Sequence, residues 1–482
     1  MAAMNRRRPA WWGGKPHVVY TIVVFIILAS LDNAALAMIP AMVKPVSSGI
    51  GSSEFALGFI TGPQILVIAV TAVGWGYAGD ARTRKPLLLW GTIIWATAEL
   101  LSATSSSFVT LFAWQMIAGV GLGSIASVGF SVVSDFIGPA RRGLAMSFWG
   151  LSQGIGFWFG GLLASQLGAD DFRIPLVVIA VLGYLFAFLY LFTYEAPRGI
   201  AEPELSDLYE RGGEYTYRID RSQIPLLFKR RTNVWLILQG FTAQIAYGAL
   251  MWYALLFQEK VAAEGYSEAT STAIGGIFSA LVLLAGLTSI AAGWLGDKAQ
   301  SRTLRGRAVV SAVGILGAIP FFLISFWAPL RGLEVTEGAN FVTRFGEVLT
   351  NIATNPWVFL AFVSALIAIT LTSADSPNWF ALISDVNLPE HRGTVFGLGN
   401  LANGGGRSLG NSAAAAIAGA TERSLPPPVN WAMSMSLSLV FFLPTGWCYW
   451  KASETSPGDI EEARATLRKR ARAAPDRQNT EG

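Results

Sequence analysis

The chain has 482 residues, of which 52% are hydrophobic and only 14% charged, and its formal net charge is +4. Soluble domains carry about 25% charged residues, so this composition excludes an ordinary soluble protein and points to lipid as the solvent. A single cysteine, Cys448, excludes an internal disulfide and a cysteine metal cluster, and the two histidines, His17 and His391, near predicted helix ends, argue against a histidine metal site or proton relay.

The chain opens with Arg6, Arg7 and Arg8, then Trp11 and Trp12, then an apolar run over 17–43. That run is too long for the apolar core of a signal peptide, and it reads as a retained first span. About 20 mostly apolar residues cross the hydrocarbon core. Runs of that kind follow at 54–79, 85–104, 108–136, 143–167 and 173–194. A mixed, charged stretch over 195–232 interrupts them. Six more runs follow at 233–258, 269–296, 307–329, 356–386, 393–420 and 429–451, and the chain closes in a tail with an amphipathic stretch from Asp459 to Arg472. Irregular backbone cannot face lipid, so each run is expected as helix. The prediction is an all-α membrane protein of twelve transmembrane helices. It divides into a six-helix half (1–194), a cytoplasmic linker (195–232), a second six-helix half (233–451) and a cytoplasmic tail (452–482). Short segments on the N-terminal side, such as Arg82-Thr83-Arg84-Lys85 and Arg141-Arg142, hold more Lys and Arg than those opposite, which puts both termini inside.

The halves repeat. Span 4 closes on Ser134-Asp135, with Pro139 and Arg142-Gly143 at fixed spacing, and span 10 closes on Ser384-Asp385, with Pro389 and Arg392-Gly393 at the same spacing. Span 2 closes on Gly76, Gly79 and Asp80, and span 8 on Gly293, Gly296 and Asp297. The two offsets differ because the long outer loop 330–356 has no counterpart in the first half. Duplicated halves are the pattern of transporters whose substrate site lies at the repeat interface near the midplane.

These loops resemble the major facilitator superfamily, whose segment between helices 2 and 3 has the form G-x-L-(A/G)-D-R-x-G-R-(K/R). Gly76, Gly79, Asp80, Arg84 and Lys85 match, while Ala78, Ala81 and Thr83 replace the Leu, the first Arg and the third Gly. The resemblance implies two pseudo-symmetric six-helix bundles and a gating role for this loop, together with Asp135, Arg142, Asp297, Asp385 and Arg392. It places Asp80 at the inner end of span 11, beside the basic end of span 4 near Arg142, in a contact that holds the outward-open state. A carboxylate is stabilised at a helix N-terminus and beside Arg. Simple topogenic charge is the plainer reading of the same loop. A finer resemblance is to the spinster branch of lipid and organic-ion transporters, through Leu31-Asp32-Asn33 in span 1 and Gly156, Gly160 and Gly161 in span 5. Span 4 departs from that branch: Trp114 to Gly123 carries neither its Arg nor its acidic residue.

Four ionisable residues fall inside predicted spans: Asp32, Glu99, Asp375 and Arg407. Each costs about 2.5–3.5 kcal/mol at a helix centre, so each needs a partner or water, and all four are expected in one central cavity. Arg407 shares one face of span 11 with Asn400, Asn403 and Asn411. It either binds an anionic substrate group or pairs with Asp375. Asp32 and Glu99 are candidates for proton or cation coupling, or are hydrogen-bonded structural carboxyls. Gln115, Gln153, Gln244 and Tyr247 either line the cavity or bond helix to helix.

The expected function is a secondary active transporter moving a small organic or amphipathic solute, anionic or lipid-like, by alternating access. A multidrug-type exporter, an uncoupled facilitator and a non-transporting membrane receptor are the alternatives. No nucleotide-binding loop, nucleophile elbow or metal-binding cluster is present in the sequence. Hence no enzyme activity, catalytic residue, metal, cofactor or nucleic-acid partner is expected. The expected partners are the solute, membrane lipids and protons. The expected setting is a monomer in the plasma membrane with its N-terminus cytoplasmic.

Overall fold

Lipid-facing backbone must satisfy its own hydrogen bonds, and this chain does so with helix. The computed structural model describes residues 15–473 apart from 53, 169, 170, 196 and 212, and every regular element among them is helical. The basic run Arg6 to Arg8, with Trp11 and Trp12, lies outside the described residues.

Up to residue 190 the main helices are α1 (Lys15–Ala41), α2 (Glu54–Ala81), α3 (Arg84–Ser102), α4 (Phe108–Ser124), α5 (Phe130–Asp135), α6 (Arg142–Leu167) and α7 (Arg173–Tyr190). From residue 231 they are α8 (Arg231–Leu250), α9 (Tyr253–Ala263), α10 (Glu268–Leu283), α11 (Ser289–Arg302), α12 (Gly306–Trp327), α13 (Phe341–Thr354), α14 (Pro356–Thr372), α15 (Asp375–Val386), α16 (Arg392–Thr421), α17 (Val429–Leu439) and α18 (Phe442–Ala473).

Nine helical stretches among the described residues are long and apolar enough to cross a bilayer. The expected spans 85–104, 143–167 and 393–420 fall outside that set, yet they are helices α3, α6 and α16, of 19, 26 and 30 residues. Polar residues and glycine dilute their apolar content. Helix α3 starts at Arg84 and Lys85 and holds Glu99, α6 holds Ser147, Ser152 and Gln153, and α16 holds Arg407 among three asparagines.

Five expected spans are broken, those over 233–258, 356–386 and 429–451 by short turns at 251–252, 373–374 and 440–441, and two others by a change of helix type. Span 4 is α4 and α5 joined by a π turn over Ile125–Gly129. Span 8 is α10 and α11 joined by a 3-10 turn over Leu284–Thr288. A glycine sits in each of these last two turns, where the helical ladder is easiest to interrupt.

Helix α1 packs along α6, α3 along α4, and α8 along α16. The two parts of the chain meet along two seams. On one, α2 packs against α16. On the other, α6 packs against α11 and α15, while α10, beyond the turn, packs on α9, α13 and α14. The linker, with short helices Ser206–Glu210 and Ile224–Lys229, covers one end of the bundle. The tail stretch from Asp459 to Arg472 is a continuation of α18. Its Ala463, Leu467 and Ala471 bury against Leu205, Leu208 and Tyr215 of the linker and against Leu388.

Candidate functional site

A cavity of about 1400 Å³ lies between the two parts of the bundle, and Asp32 of α1, Asp375 of α15 and Arg407 of α16 line it. Gln153, Gln244, Tyr247 and Asn403 line it as well, on walls that are otherwise mostly apolar. The helical face containing Asn400, Asn403 and Arg407 is therefore turned to the cavity, as its spacing predicts.

The cavity charges are thinly partnered. Asp32 is buried, and neither carboxylate oxygen has a hydrogen-bond donor among the described residues. The Trp95 indole lies beside it, and its N–H likewise lacks an acceptor at hydrogen-bonding geometry. Arg407 donates from Nε to Gln244 Oε1 at 3.0 Å. Asp375 accepts from Gln239 Nε2 at 3.0 Å and from the hydroxyls of Tyr449 and Tyr247. Of the two roles open to Arg407, pairing with Asp375 is thus not formed: both residues are turned to neutral partners.

Glu99 and Gln115 correct the expectation of one shared cavity. Gln64 Nε2 donates to Gln115 Oε1, and Gln115 Nε2 donates to Glu99 Oε2 and Ser102 Oγ, each at 3.0 Å. All four side chains are buried where α2, α3 and α4 meet, outside the cavity lining. Thr92, Trp95, Glu99 and Ser102 belong to the buried part of α3, which packs on α4. A polar residue inside a span says that it needs a partner, and here that partner is the neighbouring helix.

At the linker end the cavity is closed by charges in a crossed, two-fold pattern. Asp80, at the end of α2, accepts from the backbone N–H of Gly393 at 3.2 Å and Thr394 at 2.6 Å, at the start of α16. Asp297, near the end of α11, accepts from the backbone N–H of Gly143 at 2.8 Å and Leu144 at 3.0 Å, at the start of α6. Each carboxylate thereby caps a helix of the other part, where the helix dipole favours negative charge. Gly76 and Gly293 allow this approach, because a Cβ on either would run into the carbonyl oxygen of Gly393 or Gly143.

Ion pairs repeat the pattern. Asp135 meets Arg84 at 2.5 Å within its own part and Arg392 at 3.3 Å across the seam. Asp385 meets Arg307 within its own part and Arg142 across it at 2.5 Å. Arg307 also meets Asp297 at 2.6 Å. Glu202 of the linker sits between the two crossing arginines, bonded to Arg142 at 2.6 Å and to Arg392. Burial alone would raise the Glu202 carboxyl, but Arg142 and Arg392 outweigh it and hold it at about 2.

Two expectations change. Arg142 opens α6 rather than closing the helix before it, and its partners are Asp385 and Glu202. The basic residue near Asp80 is Arg198 of the linker, at 3.8 Å. Lys85 has a local task, with Nζ donating to the carbonyls of Leu191 at 2.7 Å and Thr193 at 2.9 Å. Arg307, Arg198, Glu202, Gln239 and Tyr449 were not singled out from sequence. Only Arg307 carried a usable signal, because it begins its helix beside Asp385 as Arg84 does beside Asp135.

The sequence profile of the family described as Major Facilitator Superfamily matches residues 21–346. Protein spinster homolog 3 of Danio rerio is 25% identical over 300 residues, which cover 59% of this chain and 57% of the relative. The sphingosine-1-phosphate transporter SPNS2 of Mus musculus is 25% identical over 340 residues, covering 67% of this chain and 59% of the relative. The matched region thus spans less than two thirds of the length of these relatives. Among solved structures, the proton:xylose symporter XylE is similar with a TM-score of 0.64 at 15% identity, over 90% of this chain and 96% of that one. A bacterial homolog of the human lysosomal transporter Spinster, inward-facing and unoccupied, is similar with a TM-score of 0.56 at 18% identity, over 93% and 99%.

Proposed function

The chain belongs to the Major Facilitator Superfamily, and we propose that it carries a small organic or amphipathic solute with an anionic group across a membrane by alternating access. The observation that carries this reading is the cavity between the two parts of the bundle, bearing an arginine with a single neutral partner while the charges at one end are fully paired. Arg407 receives the anionic group, helped by Asn403, and the apolar walls receive the rest. A phosphate-bearing amphiphile is the cargo named for the mouse relative, which supports this choice of solute class.

The full architecture belongs to the same proposal. Twelve spans form two six-helix halves, 1–194 and 233–451, with linker 195–232 and tail 452–482 on the cytoplasmic side of the plasma membrane. The Lys and Arg bias of the loops supports that orientation. On this orientation the described conformation is shut towards the cytoplasm. Asp80, Arg84, Asp135, Arg142, Asp297, Asp385 and Arg392 form the gate that must open for the other half of the cycle. Asp32 is the coupling group, a cavity carboxylate with no charged partner and only the Trp95 indole beside it, able to take and release a proton. Glu99 and Gln115 are structural.

The test is flux in proteoliposomes with and without an imposed proton gradient. Wild type should show saturable flux that follows the gradient, and Asp32→Asn should retain binding but lose its response to pH. An unchanged response in that variant would remove Asp32 from coupling, and the absence of flux for anionic and amphipathic solutes would overturn the reading as a whole.

A further inference from the structure

The loop between α12 and α14, at the end of the bundle away from the linker, builds a feature of its own. Most of it is α13, started by Asn340, whose side chain accepts the Thr343 N–H at 3.0 Å. Val348 and Asn351 are the buried residues of α13, which packs on α10 and α14. Phe341 and Val342 are left 68% and 78% exposed. Apolar residues left outside, with a cation one turn further on, suit a helix lying in the headgroup layer of a bilayer. Phe341, Arg344 and Phe345 also line the mouth of the cavity.

Arg344 has no hydrogen bond or ion pair among the described residues, and its Nε is shielded from solvent without an acceptor. The acidic residues around it are occupied. Glu337 accepts from the backbone N–H of Ser267 at 2.8 Å and from the hydroxyls of Ser267 at 2.6 Å and Thr270 at 2.5 Å. Glu347 accepts from the Thr336 N–H at 3.0 Å and its hydroxyl at 2.6 Å. Glu337 lies within electrostatic reach of Arg344 but is not bonded to it, so the guanidinium keeps a shielded donor without an acceptor, which is costly.

Next to it the cavity wall thins. Helix α6 meets α11 and α15, towards the linker, whereas α10 leans away onto α9, α13 and α14. Trp158 of α6 and Leu283 of α10 line the cavity and are also 67% and 69% exposed. Exposed apolar side chains on both helices leave an apolar seam beside the cavity, along which an apolar chain can lie without crossing polar surface.

We propose that Arg344, flanked by Phe341 and Phe345, is a second anion-binding site at the mouth of the cavity. It takes the phosphate-type headgroup of an amphiphile whose chain lies in the seam between α6 and α10. This rests on the reading of the cavity as a solute path. The guanidinium fork suits a phosphate headgroup, to which it donates two parallel hydrogen bonds.

The test is binding rather than flux. The full chain in lipid nanodiscs is titrated with n-dodecyl phosphate, inorganic phosphate and the neutral n-dodecyl maltoside, read by tryptophan fluorescence and corrected with empty nanodiscs. Dodecyl phosphate should bind saturably, and Arg344→Gln should weaken it about tenfold. Arg344→Lys should recover part of the loss. Inorganic phosphate should bind more weakly than dodecyl phosphate, and the neutral dodecyl maltoside should bind weakly and ignore the substitution. Unchanged dodecyl phosphate binding in Arg344→Gln overturns the site. Equal affinity for inorganic and dodecyl phosphate overturns the amphiphile as its ligand. Absent flux with this binding intact overturns the transport reading and upholds the site.

Discussion

At the linker end, Asp135 and Asp385 each meet two arginines, one from each part of the chain, and a linker glutamate joins the two crossing arginines. In the cavity, Asp32 has only the Trp95 indole beside it, Arg407 meets an amide, and Asp375 meets an amide and two tyrosines. The linker-end charges, Asp32 and Asp375 are buried, where an unpaired ion is expensive, whereas Arg407 is exposed to the cavity. The paired set balances its own charge across the two parts. The unpaired set keeps its capacity for something that is not protein. Pairing thus separates the charges that we propose hold a conformation from those that we propose receive a ligand.

Breaking the crossed pairs should have the largest effect. Arg142→Ala leaves Asp385 short of one arginine and Glu202 short of another, and removing one partner of a buried pair costs about 3–5 kcal/mol. The linker end should open, seen as new cysteine labelling at positions beside Asp385, with solute binding retained. A linker end that stays protected would show that the pairs are not what holds it. Arg407→Ala should do the reverse. Solute affinity should fall by one to two orders of magnitude, the equivalent of ~1.5–3 kcal/mol for a charged hydrogen bond, while the linker end stays closed. Retained affinity would return Arg407 to a packing role.

Smaller changes sharpen the two-fold pattern. Gly76→Ala and Gly293→Ala each drive a methyl into a carbonyl of the opposing part. Overpacking of this kind costs about 1–3 kcal/mol. The two variants should loosen the linker end to similar degrees, and a large difference between them would break the symmetry. Glu202 gives the smallest effect. Its carboxyl is held at about 2, below the ordinary glutamate value. A depressed carboxyl contributes fully above its ordinary value and is lost only as pH falls towards the depressed one. The difference in linker-end opening between wild type and Glu202→Gln should therefore be the same at about pH 7 and about pH 5. A difference that shrinks at the lower pH would contradict the pairing.

The linker-end charges were legible because they occur twice. Asp135 and Asp385, or Asp80 and Asp297, stand at matching places, so chance was a poor explanation for either pair. The cavity face of α16 was legible because one helical stripe carries Asn400, Asn403 and Arg407. Glu99 was not, because a lone carboxylate inside a span does not say which way it faces, and its partner Gln115 sits on another helix. Glu202 was hidden in a linker without a repeat, where charge is ordinary. The breaks at Ile125–Gly129 and Leu284–Thr288 escaped because apolar runs continue through them.

The most direct test of alternating access is a pair of spin-label distances in the same protein. One pair, Ala140 with Arg302, spans the linker end, and the other, Thr104 with Arg423, spans the far mouth, all four being exposed positions. Alternating access predicts that Arg142→Ala lengthens the first distance and shortens the second together. A linker end that opens while the far mouth keeps its width would contradict it.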